Sequence, residues 1–341
     1  MELKQSDFCA SPERQIQSRI LSRRTLPEEA TSISMVKMTD EVLKEQAQIA
    51  FGEIAAAVKS GNCNLFLGAA VNAAPKASHP KYKYPEDIRP PIGNQLAGKL
   101  IEASKAVREY PFDDPNNLLR VSQHYESVFG RDKLIETLRT QVHTGKEPSA
   151  ALRGLAKLKF PIVVTTNYDK LFEKALGLHG KTAFESIYKP GRYEMGDDLP
   201  YSDPPRADRP MLFKMHGDID RPQTIVITDE DYINFIVRMR EVHETSPVPR
   251  RIQNSLMDWP TLFIGYSLKD YNLRVLLKML RAGKDVTHFP PVYSVDYKPD
   301  PLIWEFWYER ANPKVVNFVA NDIWDFVPQL YREVTGVEMP A

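Results

Sequence analysis

An α/β fold, a doubly wound parallel sheet with an inserted helical subdomain, is predicted by three apolar runs that each empty into polar residues. Residues 160–164 run into Thr165, Thr166, Asn167, Tyr168 and Asp169. Residues 211–215 run into His216, Gly217 and Asp218, and residues 261–264 into Gly265, Tyr266, Ser267 and Asp270. Open α/β sheets hold their ligands outside the carboxyl ends of the strands, so three such tips predict one shared site. Apolar residues at helical spacing follow the first tip at Leu171, Phe172, Ala175 and Leu176, and strands alternating with helices imply a parallel sheet.

The 341 residues hold 42% hydrophobic and 26% charged residues, an ordinary globular composition able to bury a large core. Lys plus Arg balances Asp plus Glu at 45 each, so no global field favours nucleic acid or an anionic membrane. The chain has no apolar stretch near the ~18 residues of a membrane span. Its first residues lack a signal-type apolar region, so the expected location is cytoplasmic. Two cysteines, Cys9 and Cys63, exclude a four-cysteine zinc site within one chain.

Along the chain, residues 1–39 are polar and aperiodic, an expected flexible arm that either stays disordered or docks a partner. Asp40 is expected to cap a helix to about 59, striped by Leu43, Ala47, Ala50, Phe51, Ile54 and Val58. Residues 64–67 form the first expected strand, leading into Gly68, Ala69, Ala70, Val71 and Asn72. The Pro-, Lys- and Tyr-rich stretch 74–91 reads as a long binding loop. Helices over 93–108, 116–129, 131–142 and 149–158, with no strand between them, read as an inserted helical subdomain at about 93–158.

Residues 180–210 read as a second irregular wall of the site, and 224–227 as a hairpin element. Asp229 is expected to cap a helix to about 242, with a short helix at 254–259. An amphipathic helix at 271–281, strands at 291–295 and 314–318, and a helix at 323–334 complete the expected domain of residues 40–341.

Small residues at 68–72 let backbone amides approach a pyrophosphate, although the same pattern also serves tight packing. Neither a G-x-G-x-x-G nor a G-x-x-x-x-G-K-[ST] motif is present. The Asn167 amide can hold a ribose hydroxyl or orient a water. Asp169 fits an Asx turn capping the next helix. His216, between an apolar strand and Gly217, carries an imidazole that titrates where a general base is useful. Gly265 and Ser267 can face a phosphate or ribose, Asp270 suits a helix cap, and Asn272 adds a second amide.

The ordered set GAAVN, TTNYD, HGD and GYSLKDYNLR resembles the sirtuin-like family, and is more similar to the bacterial sirtuin-like NADases of antiphage defence than to protein deacylases. The likeness runs from Asn62 to the end. It implies a Rossmann-like catalytic domain with NAD+ as substrate, no metal, and Asn167 and His216 as the catalytic pair. Gly68, Ala69, Ala70, Asn72, Thr165, Asp169, Gly265, Ser267 and Asn272 are then expected to bind the dinucleotide. Ala70 stands where the family pattern has a second glycine, and Asn72 where it has a serine. The missing four-cysteine zinc module argues against deacylation.

The expected reaction is hydrolysis to nicotinamide and ADP-ribose. A non-catalytic NAD+ or ADP-ribose sensor and an ADP-ribosyltransferase are the alternatives. The resemblance also implies a homo-oligomer held inactive until a separate ATPase of the HerA type, or an infection-derived activator, engages it.

Overall fold

The computed structural model describes residues 40–191, 197–200, 202–239, 246–266, 268, 274, 276–278, 289–296, 300–305, 307, 316–319 and 321–341. The expected N-terminal arm, most of the expected helix at 271–281, and Ser267, Asp270 and Asn272 lie outside the described residues. Residues 43–341 cluster as one compact unit.

Among the described residues, seven strands form one parallel sheet: β1 (Asn64–Leu67), β2 (Ile162–Thr165), β3 (Phe184–Ile187), β4 (Met211–Lys214), β5 (Thr261–Ile264), β6 (Val292–Val295) and β7 (Asn317–Val319). Their spatial order is β3-β4-β2-β1-β5-β6-β7, every adjacent pair being parallel. β1, β2, β4, β5 and β6 are buried at every position, as near-continuous apolar strands covered on both faces should be.

Leu65 and Leu67 face a core built with α1 (Asp40–Ser60), α5 (Ala150–Lys157), α6 (Leu171–Gly177) and the last helix, α10 (Ile323–Thr335). On alternate positions, Phe66 stacks on Phe263 at 4.5 Å between centroids. Asn64 Nδ2 donates to Ser255 O at 2.9 Å on α8 (Arg250–Asp258).

The expected helical insertion divides. α2 (Gly93–Ser104), α3 (Leu118–Phe129) and α4 (Arg131–Val142) share their own core, which also takes in Ile219, Ile225 and Ile227 from beyond β4. α5 instead packs on the sheet, because Ala151, Leu152, Leu155 and Ala156 turn toward it. The short α9 (Pro301–Trp304) follows β6 and is capped by Asp300.

Three expectations are corrected. The stretch 180–210 contains β3, hydrogen-bonded along β4, because Ser186 and Ile187 are buried within a sequence whose prolines and tyrosines hide the strand. The expected hairpin at 224–227 is no strand: Pro222–Thr224 forms a 3-10 turn, and Val226 N donates back to His216 O. α7 (Asp229–Met239) is capped by Thr228, not Asp229. Asp231 N donates to Thr228 Oγ1, and Thr228 N to Asp231 Oδ2, a reciprocal capping box.

The tips of β1 and β5 meet backbone to backbone. Ala70 N donates to Gly265 O at 3.0 Å, and Gly265 adopts φ +66°. A Cβ at Gly265 would stand 2.1 Å from Val71 N, and one at Gly68 2.2 Å from Gly265 O. Glycine at 265 is therefore required by both conformation and space. Gly265→Ala is expected to lose about 1–3 kcal/mol or more of stability, read as a lower Tm; an unchanged Tm would show that the turn can relax.

Candidate active site

The sheet register sets the site's level. Lys214, Thr165, Leu67, Ile264 and Val295 form one continuous row of paired residues across five strands. Each strand then releases its loop on the same side of the sheet. Asn167 and His216 stand two residues beyond the paired Thr165 and Lys214, on adjacent strands.

Two cavities open above this row, on either side of the 3-10 turn Ala69–Asn72. The smaller, of about 140 Å³, is bordered by Ala69, Asn72, Asn167, Asp169, His216 and Tyr232, with an apolar wall that includes Pro90, Leu96 and Leu118. The larger, of about 500 Å³, is bordered by Ala70, Ala73, Gly265, Tyr266 and Asp296 and closed by the start of α10. One turn therefore presents Ala69 and Asn72 to one cavity and Ala70 and Ala73 to the other.

His216 is buried, and its Nδ1 lies 3.3 Å from Tyr232 Oη. Tyr232 and Phe235 set their rings edge-on to the imidazole, at 5.1 and 5.7 Å between centroids. Behind it, Gly217 takes φ +86°, where a Cβ would lie 2.2 Å from Thr224 O. The turn that aims His216 is thus pinned against the 3-10 segment that replaces the expected hairpin.

Asn167 has its backbone held by Thr165: Asn167 N donates to Thr165 Oγ1 at 3.1 Å, while that hydroxyl donates to Leu67 O at 3.0 Å. Thr165, expected to face the ligand, instead lies beneath the loop and is absent from the border of both cavities. Its hydroxyl is occupied as a brace between β1 and the Asn167 loop. Gly68 likewise contributes close backbone approach rather than cavity wall.

Asp169 combines both readings of the sequence. Its Oδ1 accepts from Leu171 N at 2.9 Å, capping α6, and the residue also borders the smaller cavity. Burial pushes its carboxyl above the ordinary range, with the Lys214 charge pulling against that shift.

Asn72 is 1% exposed; its Oδ1 accepts from Ser149 N at the start of α5, at 3.1 Å. Its Nδ2 is buried with no hydrogen-bond partner and belongs to a residue facing the smaller cavity. A buried donor of this kind calls for an acceptor, which a bound ligand can supply.

Glu173, Glu185 and Asp218 bring carboxylate oxygens within 4.8 Å of one another, close enough for a cation. The ammonium groups of Lys170 and Lys214 lie among them, at 2.9 and 2.7 Å from Asp218 Oδ2. Burial alone would raise Asp218, but those two lysines outweigh it and hold its carboxyl below the usual range. Among the described residues, Cys63 is buried in the core, and burial raises its thiol to about 12, which makes it inert.

Sequence reasoning missed Asp296, which follows β6 at the same level as the other tips, and Tyr232, which orients His216. An apolar strand emptying into a polar residue was the available signal for Asp296. Nothing in the sequence pairs Tyr232 with a histidine sixteen residues earlier.

A doubly wound parallel sheet with two cavities astride a small-residue turn beyond its strand ends defines a Rossmann-like α/β fold. Residues 161–312 match the SIR2-like domain model. It is 24% identical over 307 residues to NAD(+) hydrolase ThsA of Acinetobacter baumannii (strain 532279), covering 86% of this chain and 57% of that protein. It is 25% identical to NAD(+) hydrolase ThsA of Bacillus cereus (strain MSX-D12), covering 72% and 50% respectively. Defense-associated sirtuin 2 of Bacillus subtilis is 24% identical, across 78% of this chain and 24% of that protein. The chain thus spans about half the length of the ThsA relatives. No described helix is long and apolar enough to cross a membrane.

Burial raises Glu173 above the ordinary carboxyl range, with Lys214 opposing. As the pH falls, the native chain therefore binds this proton before the unfolded chain does. The contribution is fully present below the unfolded value of about 4.3 and is lost as the pH rises through the raised folded value. Relative to Glu173→Gln, the wild-type Tm is expected to be higher at pH 4 than at pH 7, and a pH-independent gap would contradict the shift.

Proposed function

We propose that this chain is an NAD+ hydrolase that cleaves the nicotinamide-ribose bond, giving nicotinamide and ADP-ribose in antiphage defence. The observation that carries the reading is the pair of cavities shared by one turn, Ala69–Asn72. That layout suits a dinucleotide lying across the turn, its nicotinamide end beside Asn167 and His216 and its adenosine end toward Asp296. A carboxylate at such a tip commonly bonds a ribose hydroxyl. The activity for which the ThsA relatives are named supports the same reading.

Cleavage passes through an oxocarbenium-like state at the anomeric carbon, and nicotinamide leaves neutral, so no strong acid is needed. In this reading Asn167 orients the ribose or the attacking water. In the tautomer whose Nδ1–H donates to Tyr232 Oη, 3.3 Å away, His216 Nε2 is the basic nitrogen that can take a proton from water or a ribose hydroxyl. The apolar wall excludes bulk water and suits a flat ring. Asn72 Nδ2 supplies a donor to the ligand. The reaction uses no metal.

Ala70, whose residue borders the larger cavity, favours a second reading, an NAD+ or ADP-ribose sensor. Control by homo-oligomerisation, and by a separate HerA-type ATPase or an infection-derived activator, belongs to the proposal; so does a cytoplasmic site of action. A solution mass that stays monomeric with and without NAD+ would count against assembly.

Purified chain at several concentrations is expected to convert NAD+ to nicotinamide and ADP-ribose, with His216→Ala and Asn167→Ala each losing at least ~10² in rate. Undiminished turnover in either variant overturns its role. NAD+ binding without turnover at any concentration favours either the sensor or an absent activating partner.

A further inference from the structure

Lys214 is fully buried on β4, and no step above uses it. A lysine ammonium withdrawn from water is costly unless opposite charges and carbonyl oxygens surround it. Here both loops of the candidate catalytic pair supply that surrounding. From the His216 side, Asp218 Oδ2 lies 2.7 Å from Nζ. From the Asn167 side, Nζ donates to Tyr168 O at 3.3 Å and to Asp169 O. Glu173 Oε1, on α6, stands at 3.2 Å.

The register makes this contact mechanically significant. Lys214 pairs with Thr165, so Asn167 and His216 leave the same ladder row two residues later. A second tie runs parallel to the first, Ile219 N donating to Tyr168 O at 2.9 Å. Lys170 holds the same Asp218 oxygen at 2.9 Å and also pairs with Glu185, which fixes Asp218 from the outer side. Lys214 does not border the smaller cavity. Its ammonium contacts carbonyl oxygens and carboxylates of the loops and of α6.

We propose that Lys214 is a positioning residue, a charged strut between the 166–169 and 216–219 loops that fixes the spacing of Asn167 and His216. Its kinetic consequence rests on the NAD+ hydrolase reading, whereas its mechanical one does not. A misplacement of about 1 Å between reacting groups costs on the order of 10² in rate. Loss of the strut therefore acts on kcat and leaves KM for NAD+ near its original value.

The test compares wild type, Lys214→Met and Asp218→Asn in the full chain by amide hydrogen exchange and by NAD+ turnover. In each folded variant, faster exchange is expected in both loops, 166–169 as well as 216–219. Lys214→Met is expected to lower kcat about 10²-fold at unchanged KM, and Asp218→Asn to lower it less. Should Lys214→Met yield no folded protein, Asp218→Asn decides: faster exchange across the gap, at 166–169, supports the strut. Exchange changes confined to 216–219, or a folded Lys214→Met with wild-type kcat, overturn it. If the wild type itself leaves NAD+ intact, either the hydrolase reading fails or its activator is missing, and the exchange pattern alone decides the strut.

Discussion

The row Lys214, Thr165, Leu67, Ile264 and Val295 is the constraint on which the rest of this structure depends. Parallel pairing in a single register ends five strands at one level, so their loops emerge together. A one-residue slip between β2 and β4 would turn Lys214 to the opposite face and separate Asn167 from His216. The buried strands resist such a slip, because each has apolar partners on both faces.

Above that row, two kinds of close approach shape the site. At the β1 and β5 tips, glycine lets backbone meet backbone, so that the 3-10 turn stands as a partition between two cavities. At the β2 and β4 tips, the buried Lys214 charge draws carbonyls and carboxylates from both loops around one point. The first arrangement shapes the space for a ligand. The second orients the groups that border it.

Much of this was legible residue by residue. Strands at 64–67 and 261–264 and the helix at 131–142 were read to their ends, because unbroken apolar runs and a clear 3.6-residue period leave little choice. β3 was not legible: it is a short strand at the sheet's edge, flanked by turn-forming residues, and only its pairing with β4 makes it one. Thr228 and Asp229 are both good caps, and the choice fell to Thr228 because Asp231 closes the box with it. Thr165 looked like a ligand-facing hydroxyl, but Leu67 O lies within reach on the neighbouring strand. Lys214 was hidden inside an apolar run, its partners lying up to 46 residues away in the chain.

By itself the sequence determined the α/β class, the parallel sheet and the resemblance that singles out Asn167 and His216. Those properties follow from local patterning: apolar runs, helical period and small residues directly behind strands. The tertiary structure alone decided that Ala69 and Ala70 face different cavities, that α5 joins the sheet rather than the inserted helices, and that one buried lysine binds two loops. These depend on register and on contacts between distant segments, and local sequence carries no record of which distant group will arrive.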